Sequence, residues 1–137
     1  MPCSHDEFSI STTEHHQVVD VTERVRAIVR AKAVVDAVVT VFTPHATAAI
    51  ALNENDDPNI GTDLQRALGK MVIEHDGWLH DRIDNNAAAH IKAAIVGPSE
   101  SIPVLRGDLL LGTWQNIFFC EFDGPRRQRR IVVSVCW

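Results

Sequence analysis

The chain alternates short apolar runs with polar interruptions, and the period of the apolar positions switches between about two and about 3.6 residues along its length. FSIST and HHQVVDV read as two strands, with Thr13-Glu14 between them as a hairpin turn. The residues before FSIST, 1–7, are expected to be poorly ordered. Thr22 is placed to cap a helix over ERVRAIVRAK, whose Val25, Ile28 and Val29 share one face. DAVVTVFTP is rich in β-branched residues and predicts a buried strand that Pro44 ends or bends. ATAAIALN reads as a further strand, although its alanines also suit a helix.

After the Asp57-Pro58 turn, Leu64, Leu68 and Val72 predict a helix over about 60–74. HDGWLHDRIDNN is a polar loop, and Asp84, Asn85 or Asn86 can cap the next helix, AAAHIKAAIV, which stops at Gly97-Pro98. SIPVL, LLLGTWQNIFFCEF and RRIVVSVCW predict three final strands. The order β-β-α-β-β-α-α-β-β-β places helices between antiparallel strands. It predicts a single α+β domain over 1–137, with a largely antiparallel sheet and flanking helices.

The 137 residues are enough to bury one core without disulfides, and 45% apolar with 23% charged residues is ordinary for a globular domain. A net charge of −5 offers no basic field for nucleic acid, and arginines cluster only in GPRRQRR. No apolar run reaches the roughly 18 residues of a membrane span, and the first residues lack the charged and apolar regions of a secretory signal. Cys3, Cys120 and Cys136 are odd in number and match no zinc spacing, so reduced thiols in a cytoplasmic protein are expected.

The candidate chemistry lies at the ends of these elements. His45 follows a strand, His80 lies in the polar loop and His90 lies about one turn into a helix that opens with three alanines. If the three converge, they form a zinc-type site with an open position. If they do not, each is a surface or singly hydrogen-bonded histidine. His5, His15, His16 and His75 have polar neighbours and read as exposed.

Glu54, in LNEND, and Glu121 are candidate bases or partners to a bound histidine. Strand alternation puts Asp123 and Gln115 on the Glu121 face and Cys120 on the other. Asn86, at the helix start, suits an anion. Arg126, Arg127, Arg129 and Arg130 suit a phosphate or a salt-bridged turn equally well.

HATAAIALNEND, DNNAAAHIKAAIVGPS, IPVLRGDLLLGTWQ and EFDGPRRQRRIVV occur in this order. Together they resemble the YjbQ family, also described as secondary thiamine-phosphate synthase enzymes, over about residues 8–136. The resemblance implies an α+β fold around an antiparallel sheet, assembled as a homotrimer. It also implies a weak thiamine-phosphate synthase activity, a transferase reaction. That reaction joins a pyrimidine methyl pyrophosphate to a thiazole phosphate and releases pyrophosphate.

Carried onto this chain, the motif histidines are His45, His80 (or His75 in its place) and His90. The acidic and amide positions are Asn53, Glu54, Gln115 and Glu121, and the basic pair is Arg129 and Arg130. The expected role is therefore a small-molecule enzyme acting on a phosphorylated substrate. Its metal, if it uses one, is zinc or another transition metal rather than magnesium, because imidazoles disfavour magnesium. No organic cofactor is expected. The alternatives are a metal-dependent hydrolase and a non-catalytic trimer that binds a metabolite.

Overall fold

The computed structural model describes residues 1–137. Its strands are β1 (Cys3–Ile10), β2 (Gln17–Asp20), β3 (Ala37–Phe42), β4 (Ala48–Asn53), β5 (Ser99–Leu105), β6 (Asp108–Leu109), β7 (Asn116–Glu121) and β8 (Arg129–Cys136). Its helices are α1 (Thr22–Ala31), α2 (Asn59–Met71) and α3 (Ala87–Val96), with a short 3-10 turn at Leu79–Arg82. The strands form two antiparallel sheets, one ordered β1-β8-β3-β5-β6 and the other β2-β7-β4. The α+β architecture expected from the sequence is the one observed.

The central strand β7 decides the layering. Ile117 and Phe119 face the larger sheet, where they meet Val39, Val41, Ile131, Val133 and Val135, and Val25 and Val29 of α1 close the same core. Phe118 and Cys120 face the other way, against Leu68 of α2 and Ala89 and Ala93 of α3. Both faces of β7 are buried, so its sequence is continuously apolar up to Glu121. α2 lies close on β2, because a Cβ at Gly61 would sit 3.2 Å from Val18 Cβ.

Several local expectations are corrected. The first residues are ordered, because β1 pairs with β8 along eight positions from Cys3 to Ile10. Thr13-Glu14 is not a hairpin turn, since β1 and β2 belong to different sheets. Val21, not Thr22, occupies the N-cap of α1. Thr22 Oγ1 donates to Asp20 Oδ1 and accepts from Ile117 N at 2.8 Å, which ties the helix start to β7. LLLGTWQ is mostly loop, and the strand begins only at Asn116.

Cys3 and Cys136 are disulfide-bonded, not reduced, because the β1–β8 register sets them opposite each other with Cα atoms 4.1 Å apart. Cys120 is free and buried, and burial pushes its thiol up to about 12. No helix is long and apolar enough to cross a membrane.

Asp108 anchors the edge of the larger sheet to α1. Arg30 Nη2 and Arg26 Nη1 each donate to its carboxylate at 2.8 Å, and Leu109 N donates at 2.9 Å. The Arg30 hydrogen bond is the largest influence, and these donors hold the carboxyl down to about 2, against an ordinary 3.8. A depressed folded-state value gives stability that is fully present above 3.8 and is lost as the pH falls through about 2. Asp108→Asn should therefore flatten the fall in stability across that acid window, measured as the urea midpoint against pH. An unchanged acid slope would refute this role for Asp108.

Candidate functional site

Four of the seven buried polar residues, Thr12, Thr47, Glu121 and Arg129, form one hydrogen-bonded network where β7 ends and β8 begins, and its foundation is the Glu121–Arg129 pair. Glu121 is fully buried at the end of β7, and Arg129 is 5% exposed at the start of β8. Arg129 Nε donates to Glu121 Oε2 at 2.8 Å, and Arg129 Nη2 donates to Glu121 Oε1 and, at 2.9 Å, to Thr47 Oγ1. Thr12 Oγ1 and Asp123 N also donate to the Glu121 carboxylate, at 2.8 and 3.0 Å. Burial acts to raise the Glu121 pKa, but the hydrogen bonds from Arg129, Asp123 N and Thr12 outweigh it and hold it below the usual range.

This arrangement bears on two expectations. The Glu121 carboxylate and the Nε and Nη2 groups of Arg129 are occupied by each other in a buried environment, which opposes a role for Glu121 as a base or for Arg129 as a phosphate contact.

The other expected residues disperse. His45 Nε2 accepts from Arg130 N at 2.8 Å, and burial, then Arg129 and Arg130, lower its pKa, so it is held neutral. Arg130 Nη2 donates to Glu7 Oε2 at 2.6 Å on the exposed face. Asn53 Oδ1 accepts from Glu54 N, and the Glu54 side chain has no polar partner. Gln115 Oε1 accepts from Gly112 N in an exposed turn before β7, so it does not share the Glu121 face.

His80 and His90 do meet, with ring centroids 4.7 Å apart in an edge-on arrangement. Neither joins His45 in a three-ligand cluster. Asn86 Nδ2 donates to Asp123 Oδ2 at 2.8 Å, while its Oδ1 is buried without a partner. Arg126 Nη2 grips the same Asp123 oxygen at 2.9 Å, so part of the arginine cluster is a salt-bridged turn.

The residues that do converge are His15, His16 and Glu74, and reading the sequence as exposed histidines missed them. Their ligating atoms lie within 4.8 Å of one another. His15 Nε2 and His16 Nε2 both face Glu74 Oε1, at 2.8 and 3.1 Å. His15 Nδ1 faces the carbonyl of Gly124 at 3.2 Å. Lys92, 1% exposed on α3, places Nζ 3.5 Å from His16 Nε2 and has no carboxylate at ion-pair distance. Burial lowers the Lys92 pKa, with Glu74 opposing. The adjacent histidines were the available signal, but their carboxylate lies 58 residues away along the chain.

Two cavities flank this cluster. A polar cleft of about 550 Å³ runs between β2 and α2, lined by His16, Gln17, Asn55, Thr62, Gln65 and Arg66 among others. Gln65 Nε2 donates to the carbonyls of Gln17 and Glu121, while its Oε1 is buried and unpartnered. Arg66 makes no ion pair. On the other side, a cavity of about 140 Å³ is lined by His15, Glu74, His75, Asp81, Asn85 and Asn86, with Ala88 and Ala89 of α3. The small alanines at the helix start leave this room, as the sequence suggested.

Comparison with known proteins agrees with the fold. The family model described as UPF0047 protein YjbQ-like matches residues 6–137. A UPF0047 protein of Archaeoglobus fulgidus is 41% identical over 129 residues, covering 94% of this chain and 99% of that one. YugU of Bacillus subtilis is 40% identical over 122 residues, covering 87% and 89%. The crystal structure of a YbjQ-like protein from Sulfolobus solfataricus superposes with a TM-score of 0.95 at 35% identity, covering 98% of this chain and 96% of that one. A yjbq/upf0047 family structure from Clostridium acetobutylicum gives 0.90 at 40% identity, covering 95% and 98%. The chain belongs to the YjbQ/UPF0047 family.

Proposed function

We propose that the protein is a small-molecule enzyme acting on a phosphorylated substrate, with thiamine-phosphate synthesis as the named candidate reaction. The observation that carries this reading is the cleft between β2 and α2. Its volume of about 550 Å³ suits a small metabolite, and seven of its eleven lining residues are polar or charged. Arg66 offers it a guanidinium with no carboxylate partner, the group best matched to phosphate oxygens. Thr62, Asn55 and the unpartnered Oε1 of Gln65 supply further polar contacts for the rest of the molecule.

In the candidate reaction, carbon–nitrogen bond formation expels pyrophosphate, and positive groups stabilise that leaving charge. Arg66 is the cleft residue suited to this. Arg129, by contrast, acts on the site only by holding Glu121 and the strand ends in place.

The test is direct. Purified protein is given the pyrimidine methyl pyrophosphate and the thiazole phosphate, and thiamine phosphate is measured by chromatography. Turnover is expected. Arg66→Gln should raise KM for the pyrophosphate substrate about 10-fold to 100-fold, since a hydrogen bond to a charged group is worth about 1.5–3 kcal/mol. The absence of both turnover and stabilisation by pyrophosphate would sink the reading.

A further inference from the structure

We propose that His15, His16 and Glu74 form a binding site for a divalent transition-metal ion of the zinc type, with a coordination position left open toward the small cavity at the start of α3. This goes beyond the substrate reading and does not depend on it.

The argument begins with the proton inventory of the cluster. A carbonyl oxygen accepts and cannot donate, so His15 Nδ1 must carry the hydrogen of its contact with Gly124 O. In neutral His15 this leaves a lone pair on Nε2, which points at Glu74 Oε1 2.8 Å away. Two lone pairs facing each other at that distance repel, unless a proton or a cation lies between them. His16 Nε2 has the same difficulty from two sides. It faces Glu74 Oε1 at 3.1 Å and Lys92 Nζ at 3.5 Å, and one ring nitrogen cannot donate to the first while accepting from the second. A metal ion between the three groups removes the clash of lone pairs at Glu74, because it accepts all three at one point.

The geometry is close to what such an ion needs. Zinc–nitrogen and zinc–oxygen bonds of about 2.0–2.2 Å in a tetrahedron put neighbouring ligand atoms about 3.4 Å apart. The two nitrogen–oxygen separations, 2.8 and 3.1 Å, reach that value if the half-buried Glu74 side chain withdraws by about half an ångström. The Gly124 carbonyl on His15 Nδ1 is the outer contact that ordinarily fixes a metal-binding tautomer. Two imidazoles with one carboxylate favour zinc or a similar ion over magnesium or calcium.

A second, independent observation comes from the cavity of about 140 Å³ that His15 and Glu74 line. Asp81 and Asn86 line the same cavity, and Asp81 Oδ2 and Asn86 Oδ1 are buried there without hydrogen-bond partners. Unpaired buried acceptors are costly. A water molecule on the open position of the ion would donate to them. Lys92 Nζ lies 3.5 Å from His16 Nε2 and has no carboxylate partner of its own.

The experiment uses the whole chain, stripped with chelator and titrated with zinc chloride by calorimetry, with no substrate present. Cobalt(II) serves as a spectroscopic probe of coordination. One zinc per chain is expected, together with visible cobalt absorption of the intensity of four-coordinate sites. Glu74→Gln and His16→Asn, both at partly exposed positions, should each weaken zinc binding at least tenfold with unchanged circular dichroism. His45→Ala and His90→Ala should bind zinc as the parent does. Failure of the parent to bind zinc, retention of full affinity in Glu74→Gln and His16→Asn, or loss of binding in His45→Ala or His90→Ala would each overturn the assignment. Because substrate is absent throughout, these outcomes are separate from those of the phosphorylated-substrate test.

Discussion

Glu121→Gln should lower folding stability by about 3–5 kcal/mol, the usual cost of removing one member of a buried ion pair. The substitution keeps the volume and removes only the charge. Arg129, 5% exposed, would then be a buried guanidinium with no counter-charge, and Thr12 Oγ1 and Asp123 N would compete for an amide whose NH2 group cannot accept. Urea unfolding measures the loss.

A double replacement, Glu121→Leu with Arg129→Met, should recover much of it, because the unpaired charge is then gone from both sides. A loss in Glu121→Gln of under about 1 kcal/mol would show that the pair is more hydrated than its burial implies. The result also bears on chemistry. A carboxylate that must stay ionised to hold the fold together has no capacity to shuttle a proton.

Gly124→Ala is the second large effect expected. A Cβ at position 124 would lie 2.1 Å from the carbonyl oxygen of Glu14, 2.9 Å from Glu121 Cγ and 3.0 Å from Thr12 Oγ1. The first contact is with backbone, so no side-chain rotation relieves it, and the turn must move. Overpacking of this kind costs about 1–3 kcal/mol and more where the neighbours cannot yield.

The turn also positions His15, a ligand in the proposed metal site. Gly124 N donates to the carbonyl of His15, and Gly124 O holds His15 Nδ1. A stability loss of about 3 kcal/mol is expected, with weaker zinc binding as its companion, read by thermal unfolding and by the same calorimetric titration. An unchanged melting temperature would mean that the Glu14–His15 segment is looser than the two Gly124 hydrogen bonds imply.

The candidate site was only partly legible in the sequence. His80 and His90 were marked as metal ligands; their rings lie 4.7 Å apart, without a third ligating group beside them. His45 was grouped with them because its motif looked equally chemical, but its strand end delivers it to the backbone of Arg130 instead. Glu121 was read as a candidate base and Arg129 as a phosphate contact on the bulkier face of its strand, and nothing local showed the two buried against each other. A charged residue at a strand end is ordinarily solvated, and only the meeting of β7 and β8 encloses these two together. His15 is exposed, as its polar neighbours suggested, and His16 is half-buried, but those neighbours said nothing about Glu74 arriving from the segment after α2.

What the sequence by itself determined is the local layer of this protein: strands where β-branched and aromatic residues run together, helices where apolar positions recur every three or four residues, and stops at Gly97-Pro98 and Asp57-Pro58. These follow from backbone sterics and side-chain periodicity, which act within a few residues. Tertiary structure decided the rest. It placed β1 and β2 in different sheets, brought Cys3 opposite Cys136, buried Glu121 against Arg129 and set Glu74 between two histidines. Each of these joins groups far apart in sequence, through strand pairings and burial that no local window contains.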